Sequence, residues 1–520
     1  MDRLIGMDRR QFLAGTAATA LAVGGAGLLP RAARAAEPKQ GGNFRIGTAD
    51  YSSADSINPA LSETRMSMNL QWQVRNNLIE VAPGGKLVPE LAESWEGSSD
   101  AKTWTFKLRK GVEFHNGKSF TADDVVYSLN LHRKPDTKSN AKPFFAPVSD
   151  IKATGPHEVV VELSEGNVGF PSVLCHFAVV MVPDGETDFD KGIGTGGYIL
   201  EEFQPGVRSL VKHNPNYWKA GRAHFDSVEI LGIKDVSART AALVSGEIDA
   251  YNFVDLKTIS LLQRQKNVRI QRVPSKAHYV FCMLTDTAPY DDNNVRMAMK
   301  YAIDREEMLQ KILNGYGTIG NDQPINGAYE FYDPSLKPRA YDPEKAKFYM
   351  KKAGLSNFKA QLHVSETPFA GATDASVLYR EQAAKAGIDI EVIKEPEDGY
   401  WSNIWSKVPF CVTRWSGRIN DDVMISSAYS DEALKTGWNE SHLNNPELNK
   451  LIKAARVEFD DSKRGEMYHE MQRIISDEGG SVIPVFADLV DAVSPKVQHG
   501  ELSSDWDLDG ARASERWWFS

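Results

Sequence analysis

Cysteine is scarce in this chain. Its 520 residues hold only Cys175, Cys282 and Cys411, and no C-x-x-C occurs. Three cannot all pair, so neither a disulfide scaffold nor a cysteine zinc site is supported. Beyond residue 35 no apolar run approaches the ~20 residues that span a bilayer, so stable membrane insertion is not expected. Catalytic signatures are also missing: there is no G-x-S-x-G, H-E-x-x-H or Walker sequence. The eleven histidines are scattered, with no pair at i, i+4, so no metal is expected. Asp123-Asp124, Asp291-Asp292 and Asp421-Asp422 are adjacent pairs, and neighbours on a helix or strand do not share a face. They do not make a catalytic dyad, and nothing compels an enzyme. Excess positive charge is lacking too. The formal net charge of -10 argues against nucleic acid and anionic membranes as partners.

What is present is an ordinary globular composition, 42% apolar and 25% charged, in a chain too long for one core. Two or three lobes are expected. The N-terminus reads as an export address. Arg9-Arg10 precede Phe12-Leu13, an Ala/Gly-rich apolar run reaches Leu29, and Ala33-Arg34-Ala35 forms an A-x-A site. The paired arginines resemble a twin-arginine signal, with residues 1–35 removed. A soluble periplasmic protein follows, folded before export and without structural disulfides.

Along the rest of the chain, Thr103 to Leu108 alternates polar and apolar residues, as a half-buried strand does. Asn116-Gly117 is a turn signal. Thr121 with Asp123-Asp124 reads as an N-cap and acidic first turn for a helix to about His132. The Gly192–Gly197 stretch could pass for a phosphate loop, but it lacks G-K-[ST] and runs into a strand, Tyr198-Ile199-Leu200. Val295 to Leu313 predicts one long helix. Lys359–Val364, Asp374–Ala386 and Ile388–Ile393 predict strand, helix, strand. Arg516-Trp517-Trp518-Phe519 packs the C-terminus onto a lobe.

One stretch stands apart: Cys411 to Asp422, C-V-T-R-W-S-G-R-I-N-D-D, following Tyr400-Trp401 and Trp405. Arg beside Trp at a strand end can hold an anionic or planar ligand. The plainer alternative is a half-buried strand running into a turn.

Four segments together resemble the family 5 extracellular solute-binding proteins, the dipeptide-, oligopeptide- and nickel-binding components of ABC importers. They are Pro89 to Leu129 (P-E-L-A-E-S-W, T-W-T-F-K-L-R-K-G-V-E-F-H-N-G, F-T-A-D-D-V-V-Y-S-L), Gly194 to Trp218, Ala241 to Ala250, and Val295 to Gly317. The resemblance implies an α/β fold of two lobes, a periplasmic binding protein that closes like a Venus flytrap, with an extra subdomain on the first lobe. Lobe I would comprise 37–81, 193–284 and 483–520. The extra subdomain would be 82–192 and lobe II 285–482, with crossings near Leu284 and Val482. It implies a monomer that captures a small solute by closure and delivers it to a membrane permease, with no cofactor.

The peptide binders of this family carry an Asp after W-x-G or W-x-A, and it pairs with the peptide's amino group. The matching position here, after Trp415-Ser416-Gly417, is Arg418. An acidic solute is therefore expected, such as an opine-like amino acid conjugate, a sugar phosphodiester or an acidic peptide derivative. Candidate ligand-binding residues are Arg418, Trp415, Trp401, Trp405, Tyr400, Asp421, Trp438, Tyr51 and Phe145, with Phe144 beside the last. The alternatives are an ordinary di- or oligopeptide binder in which Asp421 or Asp422 takes the amine, a haem or metal-complex carrier, and a secreted hydrolase.

Overall fold

A computed structural model describes residues 38–520, except Asn357. The expected signal peptide lies outside the described residues. Two seven-stranded sheets dominate. The first runs Arg269–Val273, Leu489–Val493, Ala250–Tyr251, Asn43–Thr48, Ser227–Gly232, Arg208–His213, Tyr198–Gln204. Its centre is parallel: Asn43–Thr48 lies between Ser227–Gly232 and Ala250–Tyr251. Phe44, Ile46, Val228 and Trp517 form its core, so the aromatic C-terminus does pack inward.

The second sheet runs Gly317–Ile319, Val485–Ala487, His278–Met283, Phe410–Trp415, Phe358–Val364, Ile388–Lys394, and Ser481–Val482 adds onto His278–Met283. Phe358–Val364 and Ile388–Lys394 pair in parallel across the helix Ala372–Ala384. The strand–helix–strand unit is thus present.

The chain passes between these sheets after Val273 and after Ala487. The expected crossings, near Leu284 and Val482, lie inside the second sheet instead. His278–Met283 reads equally well as a strand of either lobe. Only its pairing with Phe410–Trp415, Cys282 opposite Cys411, assigns it to the second. All three cysteines are buried and unbridged.

A four-stranded antiparallel layer, Ala92–Gly97, Thr103–Leu108, Glu158–Leu163 and Val148–Gly155, forms a third body. Trp104, Phe106 and Leu108 point inward from the alternating strand, into a core shared with Phe120, Val125 and Leu129. The helix Ala122–Asn130 starts as expected after Thr121 with an acidic first turn, and a capping box forms there: Asp124 accepts from the Thr121 backbone N–H at 2.8 Å.

Two elements differ from expectation. The long helix splits into Asn293–Tyr301 and Arg305–Ile312, because Asp304 caps a new start by accepting from Glu307 N–H at 3.0 Å. The glycine-rich stretch packs against the end of the helix Arg65–Val74. A Cβ on Gly194 or Gly196 would collide with the carbonyls of Val74 and Gln73, so glycine here allows a close backbone approach.

Candidate functional site

A cavity of about 1290 Å³ lies where the three bodies meet. Asn140, Phe144, Asn167, His176 and Phe177 wall it from the four-stranded layer. Ser416 to Ile419, Asp422, Ser430 and Trp438 wall it from the second lobe. Lys276, Ser503, Asp505, Trp506 and Arg512 form the floor.

The strand Phe410–Trp415 delivers the tight turn that ends in Arg418. Gly417 has φ +80°, and a Cβ there would collide with Lys276, so only glycine fits. The Arg418 backbone N–H donates to the buried Tyr329 hydroxyl at 2.9 Å. Its guanidinium stacks over the Trp415 ring, 4.8 Å from the centroid, and Nη1 donates to the Gly417 carbonyl at 2.8 Å. Among the described residues no carboxylate pairs with it. Burial pulls its pKa below the usual arginine value, with Tyr329 opposing. The result is a half-buried cation with donors to spare, facing a cavity.

Its neighbours are all satisfied. Lys276 Nζ reaches Asp505 at 2.7 Å and the Ile419 carbonyl at 3.1 Å. Asp422 accepts from Arg456 Nε at 2.9 and 3.1 Å. His176 lies against Phe144 and Phe177, and burial, with His132 and Arg418 nearby, pushes its pKa down to about 3. It is a neutral wall. Arg512 belongs to a buried network. It binds Glu90 and Glu515, both at 2.9 Å, Lys219 bridges Glu80, Glu90 and Glu515, and Arg516 binds Glu80 at 2.7 Å. Glu80, Glu90 and Glu515 converge closely enough to suggest a metal. Their charge is already met by Arg512, Arg516 and Lys219, which hold Glu80 well below the carboxylate range despite burial. That set does not fit a resident cation.

The floor rests on an unusual backbone. Leu508, Asp509, Gly510 and Ala511 all have positive φ, 51°, 61°, 69° and 57°. Left-handed conformation costs roughly 1–2 kcal/mol per non-glycine residue. It is held by Asp491, which accepts from Leu508 N–H at 2.7 Å, and by Asp509, which accepts from Ser503 N–H at 2.9 Å and Trp517 Nε1 at 3.0 Å. The strained turn sets Gly510 and Arg512 on the cavity floor.

Three contacts tie the walls together. Val168 N–H donates to the Arg456 carbonyl at 2.8 Å, Asn420 Nδ2 to Ser172 Oγ at 2.7 Å, and Gly166 packs against Val457. The cleft is closed.

The candidate residues separate. Arg418 and Trp438 line the cavity, and Trp415 lies under Arg418. Trp401 and Trp405 continue an edge-to-face series outward from Trp438. Tyr400 is buried, its hydroxyl spent on the carbonyls of Val412 and His363. Asp421 is buried in the first turn of Asp421–Tyr429 and accepts from Phe331 N–H at 3.3 Å, whereas its neighbour Asp422 meets the cavity. Phe145 stacks on His132 in the core, and Phe144 takes the cavity side. Tyr51 packs against the first lobe's core and Gly232. His176, Lys276, Asp505, Trp506 and Arg512 carried no sequence signal beyond their residue types, whereas Phe144 is among the candidates, beside Phe145. Trp506, with Arg65 stacked over it at 4.3 Å, sits in an irregular loop.

Two lobes, a side layer and a closed, charged cleft between them define a solute-binding protein. Residues 86–435 match the model for bacterial extracellular solute-binding proteins, family 5 Middle, and the chain belongs to that family, the binding components of ABC importers. Glutathione-binding protein GsiB of Shigella flexneri serotype 5b is 27% identical over 79% of this chain and 82% of its own. HbpA2 from Haemophilus parasuis shares the fold with a TM-score of 0.81, at 19% identity over 92% of this chain and 100% of that one. AgaA from A. tumefaciens R10, solved with agropinic acid, has a TM-score of 0.73, at 22% identity over 92% and 99%. Among the described residues no helix is long and apolar enough to cross a membrane.

Proposed function

We propose that this protein captures an acidic small solute in the periplasm and hands it to its permease as a closed monomer, after export by a twin-arginine signal. Lobe I is built on the first sheet with the four-stranded layer as its subdomain, and lobe II on the second sheet. The carrying observation is Arg418: a half-buried guanidinium facing the cavity, held by an indole and its own backbone, with no carboxylate partner among the described residues. A planar cation with free donors suits a carboxylate or phosphate bound through two parallel hydrogen bonds. Closure excludes water, so each such bond counts for more. Ammonium recognition beside Arg418 would need a free carboxylate there, and, besides Asp422 and the Lys276-bound Asp505, the carboxylates that line the cavity are Glu165, Asp431 and Glu432. Asp422 is taken by Arg456, and Asp421 is buried away from the cavity. The cavity exceeds the needs of a single amino acid, and Trp438 offers an aromatic face for a sugar or planar portion. GsiB and AgaA are compatible relatives, since glutathione and agropinic acid both carry carboxylates.

Native mass spectrometry of freshly purified protein tests the reading. An anionic adduct released on unfolding supports it. A dipeptide adduct, with calorimetric binding of neutral dipeptides undiminished by Arg418→Ala, would overturn it.

A further inference from the structure

The indoles beside Arg418 are organised by one carboxylate. Glu440 is 3% exposed and forms no ion pair among the described residues. It accepts from Trp405 Nε1 at 2.6 Å through Oε2, and from Trp415 Nε1 at 3.0 Å and Thr413 Oγ1 at 2.9 Å through Oε1. Trp438, half-exposed, sits edge-on between the two indoles so fixed, 5.5 Å from Trp405 and 6.1 Å from Trp415. Trp415 in turn carries the Arg418 guanidinium. Both cavity-facing groups of this wall therefore rest on rings that Glu440 orients.

A buried carboxylate with no counter-ion is costly, and an uncharged side chain of the same shape would burden the fold less. Burial raises the Glu440 pKa, and the three donors from Trp405, Trp415 and Thr413 oppose that; in its ionised form it adds polarisation. An indole N–H that donates to an anion has a more negative ring face, which holds a cation more firmly. If a carboxylate touched Arg418 directly, it would consume the donors a solute needs. Routed through the Trp415 ring, the negative charge steadies the guanidinium and leaves those donors open.

We infer that Glu440 is the positioning residue of the anion subsite: by fixing Trp415 and Trp405 through their indole N–H groups, it presents Arg418 and Trp438 to the acidic solute. This rests on the reading of Arg418 given above.

The test uses iodide as an anionic probe of indole fluorescence and acrylamide as a neutral one, on the full mature chain and its Arg418→Ala and Glu440→Gln variants. A free guanidinium over Trp415, whose ring meets Trp438, concentrates iodide locally, so Arg418→Ala lowers the iodide quenching constant. Glu440→Gln gives a similar fall and weakens the near-ultraviolet circular dichroism of the coupled indoles. Acrylamide quenching and the far-ultraviolet spectrum stay unchanged. If Glu440→Gln keeps wild-type iodide quenching while Arg418→Ala loses it, the positioning role is wrong and the anion site stands. If Arg418→Ala also keeps it, the anion site falls and the inference with it. Should Glu440→Gln fail to fold, Thr413→Val removes one of the donors that hold Glu440 and leaves every indole in place. A smaller fall in iodide quenching is expected, and its absence overturns the positioning role of Glu440.

Discussion

Arg512 and Arg418 both face the cleft, and both lose hydration to burial, yet they are treated in opposite ways. Arg512 is ringed by Glu90, Glu80 and Glu515, and these raise its pKa despite burial. Arg418 has only an indole face, a tyrosine hydroxyl and a carbonyl around it, and burial lowers its pKa. A buried cation whose charge is cancelled within the protein is part of the architecture. One whose charge is left open becomes stable only when something from outside completes it. The floor of the cleft is thus finished, and the second-lobe wall is not.

The most severe way to break this contrast is Arg512→Met. It leaves Glu80, Glu90 and Glu515 to share Lys219 and Arg516 and should cost roughly 3–5 kcal/mol of stability, read by denaturant unfolding. Arg418→Met should do the reverse. Stability without solute should stay level or rise, while affinity for the acidic solute falls by about 1.5–3 kcal/mol, measured by calorimetry. If Arg418→Met destabilised the protein as much as Arg512→Met does, the contrast would collapse.

Gly166→Ala probes the closure that brings both arginines into one cavity. The added Cβ would collide with the Asp100 carbonyl and lie 2.9 Å from Val457. The Asp100 overlap stays within the layer and costs stability, whereas the Val457 overlap lies between the walls, so relieving it for roughly 1–3 kcal/mol favours the open form, and small-angle scattering should show a larger radius of gyration. An unchanged radius would mean that the walls are held elsewhere.

The smallest effect is in pH. Burial depresses His132 and His278 to about 4 and His176 to about 3, so the folded state binds fewer protons than the unfolded one, and stability is lost as pH falls below about 6.5. Asp421 goes the other way. Burial, opposed by Lys276, raises it to about 7, so the folded state holds its proton more tightly and stability is lost as pH rises from about 4 to about 7. Asp421→Asn should remove only the second slope, raising the melting temperature by roughly 2 °C at pH 8 and hardly at pH 4. A gain independent of pH would show that the Asp421 charge is not the cause.

Much of the fold was readable because it rests on local rules. Alternation placed Trp104, Phe106 and Leu108 inward, and Thr121 and Asp124 announced their helix. The strand–helix–strand from 358 to 394 followed from period alone. The site was less readable, and the misses are instructive. Phe145 and Asp421 were each one residue from the side chains that meet the cavity, Phe144 and Asp422. On a helix, neighbours point about 100° apart, and no periodicity in a four-residue helix says which one faces the cleft. Tyr400 belongs to the same aromatic cluster as Trp405, but its hydroxyl is committed to backbone carbonyls.

The sequence by itself determined the family, the alternation of elements, and the arginine at position 418, because these are carried by residue types and spacing. Only the tertiary structure decided that Arg418 is unpaired while Arg512 is paired. The groups that decide this lie far off in the chain, Glu90 for Arg512 and Tyr329 for Arg418, with Glu440 behind Trp415, and pairing across such distances is set by packing.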